Sequence, residues 1–157
     1  MENEITCSRC GSSVLQEDAY CKNCGAIFSD GLSCSVHGSI PAAGVCVICE
    51  KPFCSDCGGE ENRVFVCDTH SKYEIVEGMG RVFGCTDNVQ AQYVTTVLEQ
   101  GGFHPFLYSR RFNPGADLVA VGGVMRNFGG YPIVELKVLV PFAEVLKAEG
   151  ALSALQL

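Results

Sequence analysis

The sequence predicts a front half of small metal-stabilised modules followed by an α+β sandwich, and three observations carry that reading. Ten of the eleven cysteines and two of the three histidines precede residue 71. They come in pairs two residues apart, as CxxC or CxxH. Beyond residue 79 the composition turns aliphatic, with apolar residues recurring at strand and helix periods. A length of 157 residues admits one ordinary domain or several very small ones. The cysteine distribution favours the second, with boundaries at 1–30, 34–71 and 79–157.

A secreted disulfide scaffold would also be rich in cysteine, but it needs an exporting signal, and MENEITCSRC is acidic and polar. A cytoplasmic location is expected, where thiols stay reduced and repeated CxxC or CxxH pairs hold metal. No run approaches the roughly 18 apolar residues a membrane span needs. Formal charge is −7. Ten ligand thiolates and three divalent ions would take it to about −11, a sign that opposes phosphate backbones.

The first module is residues 7–28. Cys7 and Cys10, then Cys21 and Cys24, form CSRCG and CKNCG with ten residues between the pairs. Two residues between thiolates let the backbone curl round one ion, and Gly11 and Gly25 permit the φ > 0 turn after each second cysteine. This segment resembles the short zinc-ribbon family, which implies a hairpin and a zinc ion but no single activity.

The second module begins with Cys34 and His37, continues through CVICEKPFCSDCG with Cys46, Cys49, Cys54 and Cys57, and ends with Cys67 and His70. Eight ligands make two tetrahedra, and both sequential and alternating pairing satisfy the ligand chemistry. Only EKPF separates Cys49 from Cys54, a tight hairpin that sets the middle pairs side by side. The order CxxH, CxxC, CxxC, CxxH resembles the B-box type of cross-brace zinc finger. That resemblance implies one ion on Cys34, His37, Cys54 and Cys57 and another on Cys46, Cys49, Cys67 and His70, so three Zn²⁺ in the chain. The final CDTH departs from the closely spaced histidines common in that family.

Metal is needed because segments of about 25 and 40 residues cannot bury enough apolar surface to offset chain entropy, whereas a structural zinc contributes an apparent 10–16 kcal/mol or so. A catalytic zinc keeps one position for water, and four protein ligands leave none. The sequence has no HExxH, GxSxG or phosphate loop.

After a short polar connection, SKYEIVEG, Arg81 to Cys85 reads as a strand. Asp87 caps a helix, with Gln90 in the reciprocal position, and Val89, Tyr93, Val94, Val97 and Leu98 form its buried face until Gly101 and Gly102 stop it. Phe103 to Tyr108 and Leu118 to Val121 read as strands. Val134, Leu136, Val138 and Val140 alternate with Glu135 and Lys137 in a further one, and Pro141 opens a last helix that Gly150 kinks or frays. The order suggests a ferredoxin-like two-layer sandwich. VFGCTDNVQAQYVTTVLEQGG and VELKVLVPFAEVLKAE resemble a bacterial domain family of unknown function described as prokaryotic signal-transducing proteins, which implies regulation. The insertion from Ser109 to Pro132 departs from the shorter family form.

Arg110, Arg111 and Arg126 in glycine-containing loops would clamp an anionic small ligand if they converged, although such residues are more often solvated. Cys85 reads as a small buried apolar group, His104 as a half-exposed strand residue without a ligand partner, and Phe112, Phe128 and Tyr131 as loop aromatics packed on their own sheet. The function expected is a non-enzymatic zinc-binding adaptor or regulator with a protein partner. Nucleic-acid binding is the alternative; ten acidic against five basic residues in the first 72 disfavour it. An enzyme is disfavoured by the lack of a paired carboxylate or nucleophile motif.

Overall fold

The structure, a computed structural model, describes residues 3–109 and 135–157. The strand expected at Leu118–Val121, the start of the next at Val134, Arg110, Arg111, Arg126, Phe112, Phe128, Tyr131 and the insertion after Ser109 lie outside the described residues.

The chain opens on a hairpin of β1 (Glu4–Thr6) and β2 (Ser13–Leu15), with Ile5 opposite Val14. β3 (Gly44–Val45) pairs with β4 (Pro52–Phe53), and β5 (Gly58–Glu61) with β6 (Val64–Cys67). The turn between β5 and β6 places Asn62 and Arg63 at φ of 49° and 68°, the two-residue geometry whose twist matches its strands. Hairpins this short are not stable alone.

The two cysteine-rich modules, expected as separate units, are stitched together. Val45 N–H donates to Gly25 O and Phe65 N–H to Cys24 O, both at 2.9 Å, and Arg9 ion-pairs with Glu60. Phe65 fills the junction at 4 % exposure. A side chain at Gly44 or Gly58 would run into its ring, and one at Gly25 would overlap Val45 O and stand 3.0 Å from its Cβ, so three glycines from three segments make room around one residue.

The back half is a four-stranded antiparallel sheet in the order β7-β8-β10-β9, with β7 (Ile75–Val76), β8 (Met79–Cys85), β9 (Phe106–Ser109) and β10 (Leu136–Pro141). Helix α1 (Asn88–Gln100) links β8 to β9, which run parallel with β10 between them, a split β-α-β. A 3₁₀ turn (Phe142–Glu144) leads into α2 (Val145–Ala154). This arrangement is compatible with the expected two-layer sandwich. The polar connection SKYEIVEG proves to contribute the edge strand β7: Tyr73 and Ile75 are buried, and Glu77 and Gly78, at φ of 48° and 80°, form the hairpin loop into β8.

Asp87 caps α1, its Oδ1 accepting from Val89 N–H at 2.8 Å, and Gly102 at φ 82° follows its end. Ala91, Val94 and Leu98 face the core, but Val89 and Tyr93 are 75 % and 53 % exposed, so the buried stripe is narrower than its apolar spacing suggests. Val145, Ala148 and Leu152 of α2 complete the core with Val138 and Val140 of β10. α2 lies close enough that a side chain at Gly80 would meet Val145 Cγ2 at 2.6 Å. Gly150 does not end α2, which continues to Ala154 because its packing face carries it past one weak residue.

Glu74 and Glu135 bracket Arg81 and Lys137 in a ladder of charge: Arg81 lies 2.8 Å from Glu74 and 2.7 Å from Glu135, and Lys137 also pairs with Glu74. Hydrogen bonds from Lys137 and Arg81 hold the Glu74 carboxyl below its ordinary value of 4.5. A lowered carboxyl pKa contributes stability above the unfolded value and loses it as pH falls through the folded one. Glu74→Gln is therefore expected to cost less than about 1 kcal/mol at pH 7, because the pair is solvent-screened, and progressively less as pH falls below 4.5. Amide exchange of β8 and β10 as a function of pH measures this.

Candidate metal centres

Five of the six CxxC or CxxH pairs sit on a tight turn that a backbone bond to the first cysteine's carbonyl closes; Cys34 and His37 instead bond to Ile40. Gly11 N–H donates to Cys7 O, Gly25 N–H to Cys21 O and Glu50 N–H to Cys46 O, at 2.7–2.8 Å. His70 and Ser71 N–H both reach Cys67 O at 2.9 Å. Gly11 and Gly25 adopt φ of 76° and 77°, as the spacing predicts. Glu50 holds the same place in the third turn at φ 57°, where a side chain is strained. Replacing Glu50 with Gly is expected to raise stability by about 0.5–1 kcal/mol, read as a higher denaturant midpoint of the metal-loaded protein.

These turns gather the twelve predicted ligand residues into three groups: Cys7, Cys10, Cys21 and Cys24; Cys34, His37, Cys54 and Cys57; Cys46, Cys49, Cys67 and His70. Within each group the four ligand atoms lie within 4.8 Å of one another. The second and third groups are interleaved. The β3–β4 hairpin makes them so, since Ser35 N–H bonds to Pro52 O and Ala43 N–H to Phe53 O, laying the Cys34–His37 segment beside the arm that leads to Cys54. On the other arm, Val47 N–H donates to Phe65 O at 3.1 Å and brings Cys46 and Cys49 to Cys67.

The spacing suits a tetrahedral ion. Metal–sulfur bonds of about 2.3 Å and metal–nitrogen bonds of about 2.0 Å give tetrahedron edges of about 3.8 Å between sulfurs and about 3.5 Å between sulfur and nitrogen. Cys7 Sγ lies 3.8 Å from Cys24 Sγ and Cys10 Sγ 3.6 Å from Cys21 Sγ. His37 Nδ1 is 3.9, 3.5 and 3.3 Å from the sulfurs of Cys34, Cys54 and Cys57. His70 Nδ1 is 3.7 and 3.2 Å from those of Cys46 and Cys67. A disulfide would require about 2.05 Å.

The thiols also show the charge such a group must neutralise. Burial pushes every one of the shifted thiols upward, and in each group one escapes. Hydrogen bonds from the Ser12 side chain and amide outweigh burial and bring Cys10 down to about 6. Backbone amides, beginning with Cys54 and His37, do the same for Cys34, also to about 6, and those of Cys49 and Cys67 lower Cys46. Their neighbours go the other way: burial, then the nearby sulfurs, pushes Cys49 and Cys57 up to about 12 and raises Cys21, Cys24 and Cys67. One thiolate forms and repels the next, which a cation at the centre would reverse.

Two side chains beside the first group escaped the sequence reading. Asn23 Nδ2 donates to Ser12 Oγ at 2.8 Å, and Cys10 Sγ lies 3.3 Å from the same oxygen. The signal available was a serine and an asparagine beside the ligand pairs, a weak one. Cys85 joins none of the groups; it is half-buried, not buried, with its thiol 3.2 Å from Asp87 O. His104 lies before β9 instead of within it and does have a partner: its Nδ1 is 2.7 Å from Glu144 Oε1, and its N–H donates to Glu144 Oε2 at 2.8 Å. Burial raises the Glu144 carboxyl, but the two His104 contacts outweigh it and hold the group below its usual range.

Among the described residues, no helix is long and apolar enough to cross a membrane. No protein-family model, no curated protein and no solved structure matches the chain.

Proposed function

We propose that the chain is a non-enzymatic zinc protein of the cytoplasm, an adaptor or regulator in which three structural Zn²⁺ ions hold a rigid surface for a protein partner. The observation that carries this reading is the closed ligand count: twelve Cys and His side chains form three groups of four at tetrahedral spacing. When bound, zinc supplies cross-linking and charge neutralisation there, and four protein ligands leave no position at which water could be activated. Cys7, Cys10, Cys21 and Cys24 would form a zinc-ribbon site, and the two interleaved groups a B-box-like pair. The split β-α-β of the back half suits a small regulatory or ligand-sensing domain of the signal-transducing type. The excess of acidic residues in the front half ranks nucleic acid below protein as the partner.

Affinity purification from the native cell, with bound metal and co-eluting proteins quantified, tests this reading. The expected result is three zinc ions per chain and a defined partner that is lost when Cys54 and Cys57 become serine. A metal-free folded protein, or one that captures RNA or DNA in a salt-sensitive manner and no protein, overturns it.

A further inference from the structure

The three ligand groups are not equally embedded. Cys7, Cys21 and Cys24 of the first group, and Cys46 and Cys67 of the third, belong to the continuous apolar core, with Cys10 and Cys49 packed against it. His70 is half-buried, and its ring lies 6.0 Å from that of Tyr73. No ligand of the second group enters that core: Cys34 and Cys54 are buried, but only within their own lobe, Cys57 is partly open and His37 is exposed. In the stretch from Gly31 to Ala43, Cys34 is the single buried residue, while Val36 is 65 % and Ile40 41 % exposed. An ion held there would be nearly the whole core of its lobe.

We propose that the site of Cys34, His37, Cys54 and Cys57 is an exchangeable, sensing site that gains and loses its zinc while the other two keep theirs, so that residues 31–43 order or loosen with the metal supply. This rests on the three-zinc reading above. Exchange begins when one ligand swings off and a competing ligand enters, and an exposed imidazole at the rim is the ligand best placed to do so. His37, exposed and outside the apolar core, can swing off without opening it. Cys46 and Cys67 would have to open the core around Phe65 and Val66, both at most 4 % exposed. Local opening follows the least protected segment, and residues 31–43 keep only five backbone bonds once the ion leaves: Cys34 N–H to Ile40 O, Ile40 N–H to His37 O, Ala42 N–H to Leu32 O and the two links to β4. The lobe would loosen while the rest of the front half stayed folded.

The test is timed zinc release from the intact zinc-loaded chain to a chromophoric chelator, with iodoacetamide labelling of the freed thiols mapped by mass spectrometry and amide exchange followed in parallel. One ion in three is expected to leave at least about tenfold faster than the others. Cys34, Cys54 and Cys57 should be alkylated in that phase, with exchange rising across 31–43 and unchanged across 44–48 and 64–67. His37→Ala, which removes only the exposed ligand, should give a folded protein holding two ions. Release of all three ions in one phase, or first labelling of Cys7, Cys10, Cys46 or Cys67, overturns the proposal while leaving the zinc reading intact. A chain that binds no zinc at the outset overturns that reading, and the proposal with it.

Discussion

If the three groups hold zinc as proposed, stripping it from the folded chain is expected to unfold residues 3–73 while the four-stranded sheet and its two helices keep their amide protection. The two halves rest on different forces. In the front half seven buried side chains are the ligands themselves, with Val14, Val45, Val47, Ile48 and residues 64–66 of β6 between them. Removing the ions leaves thiols within 4.8 Å of one another that cannot all ionise, and removes an apparent 10–16 kcal/mol or so per structural site. No hairpin of two to four residues offsets a loss of that size. The back half contributes Val94, Leu98, Val138, Val140, Phe142, Val145, Ala148 and Leu152 to the core, none of them a ligand. Hydrogen exchange of the chelator-treated protein separates the outcomes. Protection that persists in β6, or that vanishes from α1 and β10, would show that the division of forces is wrong.

The ligands were legible because metal chemistry is local: a pair two residues apart must turn back on itself to offer both atoms to one ion, and Gly11 and Gly25 mark the turns. The pairing of the eight later ligands was not fixed by spacing, since both arrangements satisfy four ligands per ion. It depends on which strand lies beside which, and here the β3–β4 hairpin and the Val47–Phe65 bond decide it. The fusion of the two modules was hidden for a similar reason. Nothing in GVC, FCSDCGG or NCGA announces that three separate glycines crowd the same phenylalanine.

In the back half, β8, α1 and β10 followed their periodicity, and the cap at Asp87 and the stop at Gly101 and Gly102 followed from local chemistry. The errors have tertiary causes. SKYEIVEG reads as a polar link because Glu74 and Glu77 dilute it, yet Glu74 meets Arg81 and Lys137 across the sheet, and Glu77 with Gly78 makes the turn. Val89 and Tyr93 were placed on a buried face because apolar spacing says which side a residue occupies, not how far the neighbouring sheet extends beneath it.

Gly25→Ala and Gly11→Ala change equivalent positions of the first two turns, at φ of 77° and 76°, and are expected to differ sharply. An alanine in the left-handed region costs about 1–2 kcal/mol at either site. At Gly11 nothing lies within 4 Å of the new methyl group, so the conformational cost is the whole effect. At Gly25 the methyl would overlap Val45 O and stand 3.0 Å from Phe65 Cβ, pushing on the carbonyl of β3 and on the phenylalanine at the junction of the two modules. Neither neighbour is the free end of a flexible chain. Overpacking of this kind adds about 1–3 kcal/mol, for a total of roughly 3 kcal/mol or more, and it breaks the bond from Val45 N–H to Gly25 O. Denaturant midpoints of the two zinc-loaded variants measure the difference, and metal retention locates it: Gly25→Ala should weaken zinc binding both at Cys21 and Cys24 and at the Cys46 group, Gly11→Ala only slightly and at the first site alone. Equal losses in the two variants would mean that the modules are merely adjacent, because only a shared carbonyl and a shared phenylalanine make one methyl group felt at two ions.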